Sequence, residues 1–427
     1  MVNPTIGCIS VRNNCDRFKA KKQTSEGASL GIYGRTPAGL DTQGFQRVDE
    51  TNNLVSCVDS EKVEISTFTS KNEINSELKP FKTSQQARAE RWALKAVVNL
   101  LFPTSSTSKC SRWNIPYQSV RILKNPEYQK AHYGGLERCG SVWWCPLCAS
   151  KIAERRRAEL VSAVATARAM GWQVLLMTCT VPHGIGDDVN DIKDKMLKAW
   201  RKMIDSRAGK DMKKLLKIEG TIRAFEVTYG CNGFHPHFHI LIFAQNDFTT
   251  QSFQSGFYPL WLNACVKVGL PPPSESHGLH VDDGSRAERY VTKWGLEDEM
   301  TKSHLKTSRS DKGQTPWDFL RDVLKTNSER SKGLFRVYAN AFKGSRQLYW
   351  SNGLKAKLGV VDVSDEELAI AEEENSNILS ELTLEQWQVI LSTKNEASLL
   401  DLAERQPESI NNFLHELLLE FPQKLRR

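Results

Sequence analysis

Three histidines fall within five residues in the stretch GFHPHFHILIF, residues 233–243, of a chain that has nine histidines in all. Alternate side chains of a β-strand point to the same face. His235, His237 and His239 are therefore predicted to share one face of a strand, with the apolar residues between and after them on the other. Such a strand packs on one face and can bind a ligand on the other.

Imidazole is a common metal ligand near neutral pH, and a catalytic metal needs further ligands and an open position. The segment TIRAFEVTYG precedes the histidines and predicts a hairpin whose turn lies near residues 230–233. Across this hairpin Glu226 could supply a carboxylate, so we expect His237, His239 and Glu226 to be the ligands. Pro236 is expected to bend His235 away from the strand. The alternative is a set of structural or surface histidines.

A second reactive pair lies in RAERYVTKWG. On a helix Tyr290 and Lys293 are i and i+3 neighbours, which places a phenol beside an ammonium group. A tyrosine is a poor nucleophile until a cation or a general base assists it. The alternative is one more aromatic residue on a helix.

Four cysteines have the spacing of a structural zinc site. Cys145 and Cys148 form a CPLC knuckle, Cys139 precedes it, and Cys110 could supply a fourth thiolate from upstream. Buried thiols are the alternative.

Aromatic and basic residues surround this knuckle. Trp143 and Trp144 could either pack against it or stack on unpaired bases. The helix that follows carries four candidate phosphate contacts, namely Lys151, Arg155, Arg156 and Arg157. Three consecutive arginines on a helix cannot all face one way, so a solvated helix face remains the alternative.

Strands that alternate with helices around a tight central hairpin predict an α+β fold on an antiparallel sheet. We expect residues 1–85 to be disordered, because they are rich in polar residues without periodicity. A helix and the cysteine segment would occupy 86–150, the catalytic domain 151–358, and an acidic helical module 359–427.

The net charge of +8 is distributed unevenly. Residues 361–427 contain 15 acidic and 5 basic residues, a net charge of −10, so residues 1–360 carry +18. A basic body suggests a polyanionic partner such as nucleic acid. No apolar stretch is long enough to span a bilayer and no signal peptide is evident. A cytoplasmic location is expected, with the ten cysteines as thiols or metal ligands.

HPHFH, YVTKW and the upstream LLMTCTVPHG together resemble the three ordered motifs of plasmid rolling-circle replication initiators (Rep proteins). These proteins belong to the HUH endonuclease superfamily, named for a His–hydrophobic–His motif that His237, Phe238 and His239 match. GQTPWDFL and AFKGSRQLYWSNGL are also similar to stretches of that family. The resemblance covers about residues 110–355.

This resemblance implies nicking of single-stranded DNA at a replication origin. Mg²⁺ or Mn²⁺ held by His237, His239 and Glu226 would polarise the phosphate. Tyr290 would attack it, leaving a 5′-phosphotyrosine and a 3′-hydroxyl that primes the host polymerase. Lys293 would offset charge at the phenolate or phosphate.

The resemblance also implies a zinc site at the four cysteines and a host helicase as partner. His235 would act behind the ligands or as a phosphate contact. Some relatives carry a second tyrosine where this chain has Trp294, so termination would use water, a second copy or a nearby carboxylate. Two other functions remain open: an HUH transposase or mobilisation relaxase, and a zinc-dependent DNA-binding protein without catalysis.

Overall fold

A computed structural model of the chain describes residues 84–245, 248–285, 313–370 and 375–421. All of them belong to one compact unit, Pro80–Arg427. The region predicted to be disordered lies outside the described residues except for its last two, which begin the first helix. The predicted helix with Tyr290 and Lys293 also lies outside them.

Helices make up most of the described structure. In chain order they are α1 (Ser84–Leu101), α2 (Ser106–Lys109), α3 (Pro146–Ala169), α4 (Val189–Asp205), α5 (Arg207–Leu215), α6 (Thr250–Lys267), α7 (Pro316–Thr326), α8 (Glu329–Phe342), α9 (Leu354–Lys357), α10 (Asp365–Ile370), α11 (Leu384–Thr393), α12 (Glu396–Arg405) and α13 (Ile410–Glu420). At the start of α7 and α11, Thr315 and Thr383 form capping boxes with Asp318 and Gln386. Within the described ranges, no helix combines the length and hydrophobicity that crossing a bilayer requires.

The strands form two antiparallel sheets. In chain order they are β1 (Val120–Lys124), β2 (Ala131–Gly134), β3 (Trp172–Cys179), β4 (Ile218–Gly230), β5 (Gly233–Gln245), β6 (Leu279–Asp282), β7 (Leu348–Trp350) and β8 (Asn377–Leu382). The larger sheet has the order β6-β3-β5-β4-β7 and the smaller one β2-β1-β8. The predicted combination of helices with a central antiparallel sheet is confirmed.

The β4–β5 hairpin is the centre of the larger sheet. Its strands pair from Ile218–Ala244 to the closing pair Gly230–Gly233, which leaves a two-residue loop. The turn lies where the sequence predicts it. Gly233 has a φ of +86°, in the region that glycine adopts without steric cost.

One face of this sheet is covered along its whole length. Phe238 and Ile240 are fully buried there, as predicted, against helices that include α4 and α6. Burying a side chain of this size stabilises the fold by about 1.5–3 kcal/mol. This face anchors the histidine strand.

Among the described residues, helices cover the opposite face over only part of its length. Leu160, Ala163 and Val164 of α3 pack on Leu241 and Phe243 at the end of β5 that is distant from the hairpin turn. The histidines lie on the same face, nearer the turn. Helix packing therefore fixes the strand at one end and leaves the other end for polar side chains.

The acidic segment after residue 359 shares a sheet and a core with the cysteine segment. β8 pairs with β1, and Leu382 lies opposite Val120. A second core unites Val120 and Tyr133 with side chains of α11, α12 and α13. The boundary predicted at 359 thus separates chain segments that pack together. An acidic sequence does not reveal this pairing, because β8 contacts a strand far away in sequence.

Candidate functional site

Glu226 of β4 lies directly opposite His237 of β5 in the hairpin. Its Oε2 is 3.6 Å from Nε2 of His237 and 3.7 Å from Nε2 of His239. A cation about 2.1 Å from two donors requires those donors to be no more than about 4.2 Å apart. The structure therefore brings these three predicted ligands into a geometry that fits one divalent ion.

Hydrogen bonds orient both imidazoles. Nδ1 of His237 lies 3.1 Å from the carbonyl oxygen of His235 and donates to it. Nδ1 of His239 lies 3.0 Å from the hydroxyl of Thr178 on the neighbouring β3. A carbonyl only accepts, so it holds the His237 proton on Nδ1 and leaves the lone pair on Nε2, the nitrogen that faces Glu226, as is usual for metal-binding histidines. The Thr178 hydroxyl orients the His239 ring through the same nitrogen.

Burial keeps the His239 and His235 rings uncharged at neutral pH. It lowers the pKa of His239 to about 4, although the Glu226 carboxylate acts in the opposite direction. It also lowers the pKa of His235 to about 4, with further lowering from His237 and His183. Neutral imidazoles retain the lone pairs that a cation needs and do not repel it.

The expectation that Pro236 bends His235 away is wrong. β5 runs through Pro236, which pairs with Val227, and the His235 ring stacks on His237 with 5.2 Å between centroids. Alternate pairs of an antiparallel ladder lack hydrogen bonds, and counting from the turn places Pro236 in such a pair. Its missing N–H therefore costs no bond to β4, and β3 ends before it reaches this position.

His183 is a neighbour of the site that the sequence analysis did not assign. Its Nε2 lies 2.7 Å from Nδ1 of His235, and its Nδ1 lies 2.9 Å from the carbonyl oxygen of Asn232. Gly233 permits this approach, because a Cβ there would lie 3.1 Å from the Cα of Ile185. His183 belongs to the LLMTCTVPHG motif and follows the end of β3, the strand that pairs with β5. This position in the motif is the sequence signal that could have identified it.

Strand β6 places further polar groups on the same face. His280 lies opposite Thr178 across the β3–β6 pairing, and its Nε2 is 3.1 Å from Oδ1 of Asp282. The Asp282 carboxylate raises the pKa of His239, against the larger effect of burial. Asp282 is therefore close enough to act electrostatically on the three-ligand group.

The four predicted zinc ligands also come together. Sγ of Cys110 lies 3.7 Å from that of Cys145 and 3.4 Å from that of Cys148, and Cys139 lies 3.8 Å from Cys148. All four are free thiols. Zinc at about 2.3 Å from each sulfur of a tetrahedron separates the sulfurs by about 3.8 Å, so the cluster fits a structural zinc ion.

Ionisation of these thiols is uneven. Hydrogen bonds from the other three thiols lower the pKa of Cys110 well below its usual value, with help from Arg138. Burial raises the pKa of Cys145. One thiolate therefore forms readily, but additional thiolates in so buried a cluster need a cation to offset their charge.

Comparison with known proteins identifies the family of the chain. A family model described as "Replication protein" matches residues 137–395. The chain belongs to the replication protein family. This confirms the resemblance to plasmid replication initiators that the three motifs indicated.

Two relatives of this replication protein come from Streptomyces. "Protein rep" of Streptomyces lividans is 26% identical over 298 residues, which cover 53% of this chain and 64% of that protein. "Neomycin resistance protein" of Streptomyces cyanogenus is 28% identical over 133 residues, which cover 25% of this chain and 30% of that protein. The chain thus spans less than two thirds of either relative. No solved structure matches.

The family match encloses most of the site residues. Glu226, the three histidines and Tyr290 lie within it, as do three of the four cysteines. Cys110 lies upstream of the match, and the structure places its sulfur next to those of Cys145 and Cys148.

The predicted phosphate contacts have different environments in this replication protein. Arg156 is buried, with Nη2 2.7 Å from Asp365 and Nη1 2.8 Å from Glu159. Its burial does not support a phosphate contact, and its guanidinium holds the start of α10 against α3. Arg157 is more exposed and pairs with Glu154 at 2.5 Å.

Lys151 and Arg155 also belong to α3. The Lys151 ammonium donates to the carbonyl oxygen of Ala369 at 2.5 Å, so it too contacts the acidic segment. Arg155 is half-buried. The four basic side chains therefore do not form one continuous surface, as helical geometry predicted.

Trp143 and Trp144 pack in the core. Trp143 lies 4.7 Å from the Phe342 ring and Trp144 lies 5.0 Å from the Phe102 ring, centroid to centroid. Both are less than a tenth exposed. Of the two alternatives for these residues, the structure favours packing over base stacking.

Proposed function

We propose that this chain is a replication initiator that nicks one strand of DNA at a replication origin. The observation that carries the proposal is the convergence of Glu226, His237 and His239 on one face of the central hairpin. Family membership supplies the replication context, and the net charge of +18 on residues 1–360 suits a polyanionic substrate.

Mg²⁺ or Mn²⁺ is the proposed catalytic cofactor, because the Glu226 carboxylate and the phosphate oxygens of the substrate are the donors that these ions prefer. When bound, the ion polarises the scissile phosphate and offsets the charge that develops on its oxygens. Thr178 and the His235 carbonyl hold the two imidazoles in place. His235, which carries a hydrogen-bonded His183 behind it, is the proposed phosphate contact beside the ion.

Tyr290 is the proposed nucleophile. It follows Asp282 by eight residues, a length of chain that reaches up to about 27 Å. β6 lies two strands from β5, about 10 Å away, so the chain can bring Tyr290 to the ligands. Its phenolic oxygen would bond to phosphorus while the bond to the 3′-oxygen breaks. The products are a 5′-phosphotyrosine and a 3′-hydroxyl, with Lys293 offsetting charge on the phenolate or phosphate.

The cysteine cluster is proposed to hold a structural Zn²⁺ ion that fixes the start of α3. Arg155, Arg157 and Lys151 remain proposed DNA contacts around it. The free 3′-hydroxyl would serve a host polymerase, and strand displacement would need a host helicase.

The alternatives differ in what they leave unexplained. A transposase or mobilisation relaxase would share the chemistry, but the replication protein family match favours replication. A DNA-binding protein without catalysis would need the cysteine cluster and would leave the Glu226, His237 and His239 group without a role.

The test is a covalent adduct. The full chain is incubated with Mn²⁺ and labelled single-stranded DNA that tiles the region flanking its gene, and adducts are sought on denaturing gels. Wild type should form one, and peptide mapping should place the nucleotide on the peptide with YVTK. Tyr290→Phe should bind the same DNA and form no adduct. An adduct on Tyr229, or one formed by Tyr290→Phe, would refute the assignment.

Tyr229→Phe is the matched control. Tyr229 is buried between Phe234 and Phe319, with ring centroids 4.9 and 5.5 Å away, and strand alternation places it on the opposite face of β4 from Glu226. Its hydroxyl is not placed to attack DNA, so this variant should keep full adduct yield.

A further inference from the structure

Two aromatic side chains project into solvent from the loop between α2 and β1. Trp113 is 56% exposed, and Tyr117 is entirely exposed. Folding normally buries such rings, because each carries 150–250 Å² of surface. Neither the catalytic site nor the cysteine cluster includes these residues.

Tyr117 also occupies a backbone position that disfavours its type. The amide of Gln118 donates to the carbonyl of Ile115 at 3.0 Å, which closes a four-residue turn with Pro116 second and Tyr117 third. Tyr117 has a φ of +64°, and turns with this conformation at the third position favour glycine or asparagine. A side chain here costs about 1 kcal/mol or more. Since its ring packs on none of the described residues, these contacts give no stability that explains the tyrosine.

The loop is held firmly. The amide of Ile115 donates to the carbonyl of Gly135 at 2.9 Å, and the amide of Glu137 donates to the carbonyl of Trp113 at 2.9 Å. The side chain of Asn114 bonds the Gln118 carbonyl at 3.4 Å. Rings displayed on a fixed backbone lose little conformational entropy when they bind a partner.

The surroundings of these rings are cationic. The Lys109 ammonium lies 4.6 Å from the Trp113 ring centroid, and residues 109–121 include three basic residues and no acidic one. Two acidic groups come from outside the loop: the amide of Glu137 bonds the carbonyl of Trp113, and the Glu396 carboxylate interacts with Arg112. Exposed rings beside cations fit a ligand that joins planar bases to phosphates.

We propose that Trp113 and Tyr117 form a stacking surface for unpaired bases of single-stranded DNA, with Lys109 contacting the backbone phosphate. The proposal rests on the proposed function only in taking DNA as the partner. It adds a second contact surface that requires neither the catalytic metal nor Tyr290.

The test measures binding without cleavage. Fluorescence anisotropy of labelled oligo-dT is recorded with the full chain, with no Mg²⁺ or Mn²⁺ added. Tyr117→Gly and Trp113→Ala should each weaken binding about tenfold, the loss of one base stack. Tyr117→Phe should bind like wild type, because stacking does not need the hydroxyl.

Stability separates this role from a structural one. Tyr117→Gly should unfold at the same temperature as wild type or higher, because glycine suits the turn. Tyr128→Ala is the control, since Tyr128 is also exposed, at 67%, but lies on the β1–β2 turn beside Glu127. It should bind like wild type.

Three outcomes would overturn the proposal. The first is unchanged oligo-dT affinity in Tyr117→Gly and Trp113→Ala. The second is an equal loss in Tyr128→Ala. The third is a change in self-association by analytical ultracentrifugation with unchanged DNA binding, which would make this loop a contact between copies. If wild type forms the DNA adduct while these variants bind normally, this proposal alone fails; if wild type binds no single-stranded DNA, the proposed function fails with it.

Discussion

The two clusters of metal-binding side chains differ in closure. The cysteine cluster has four donors, three of them buried. The cluster of Glu226, His237 and His239 has three donors, and Glu226 and His239 are partly exposed. A closed four-donor shell leaves no position for a substrate, whereas a three-donor shell would leave positions for phosphate oxygens. Closure thus separates the proposed structural zinc site from the proposed catalytic site.

The strongest test of this contrast removes both imidazoles. His237→Ala with His239→Ala should lower the nicking rate at least a thousandfold, because the donors for the activating ion are lost. The unfolding temperature should change little, since these side chains lie on the sheet face that α3 leaves uncovered. Gel assays with Mn²⁺ and calorimetry measure the two effects.

The exposed His415→Ala on α13 serves as the control and should nick at the wild-type rate. Nicking by the double variant at that rate, with metal supplied, would show that this cluster is not the catalytic centre.

At the cysteine cluster, loss of a ligand is expected to lower the stability of the fold. Cys145→Ser should reduce bound zinc well below the one ion per chain expected for wild type. It should also lower the free energy of unfolding by on the order of 5 kcal/mol, because a structural zinc contributes roughly 10 kcal/mol or more to folding. Elemental analysis and denaturant unfolding give both quantities.

Cys231→Ser, in the exposed hairpin turn, should change neither zinc content nor stability. If wild type prepared without chelators contains no zinc, the four thiols are only a buried cluster and the contrast disappears.

A smaller effect tests the support behind the open site. Thr178→Val keeps the side-chain shape but removes the hydroxyl that bonds Nδ1 of His239. Mn²⁺ affinity should fall about tenfold, as is typical when a partner behind a metal ligand is lost. Titration calorimetry with Mn²⁺ measures this directly.

Thr180→Val is the matched variant, since the Thr180 hydroxyl bonds the carbonyl of His277 at 2.6 Å rather than a ligand. Equal affinities in both variants would mean that Thr178 does not orient His239.

The open site was largely predictable because its parts are local. Two-residue alternation fixed the faces of β5, and a two-residue turn fixed the register that puts Glu226 opposite His237. Thr178 and His183 were not predicted as partners, because strand pairing between β3 and β5 depends on the whole sheet. The prediction for Pro236 was wrong, because a proline disturbs a strand only where its missing N–H would have bonded the neighbouring strand.

The cysteine region was predictable only in part. The CPLC knuckle is a local signal, and the structure brings Cys110 to it as expected. The packing of Trp143 and Trp144 depends on α1 and α8, and the partnership of β1 with β8 depends on residues about 260 positions apart. Neither is encoded in the spacing of the motif itself.

That pairing has a consequence for how the chain folds. Closing a loop of this length has an entropic cost that local contacts do not offset, and folding slows as contacts become more distant in sequence. β1 therefore emerges from the ribosome long before its partner strand β8. Until β8 is synthesised, the edge of β1 that pairs with it remains unpaired, and an unpaired strand edge is prone to association with other chains. The small sheet should accordingly form last during synthesis, and conditions that slow translation of the final segment should increase aggregation of the nascent protein.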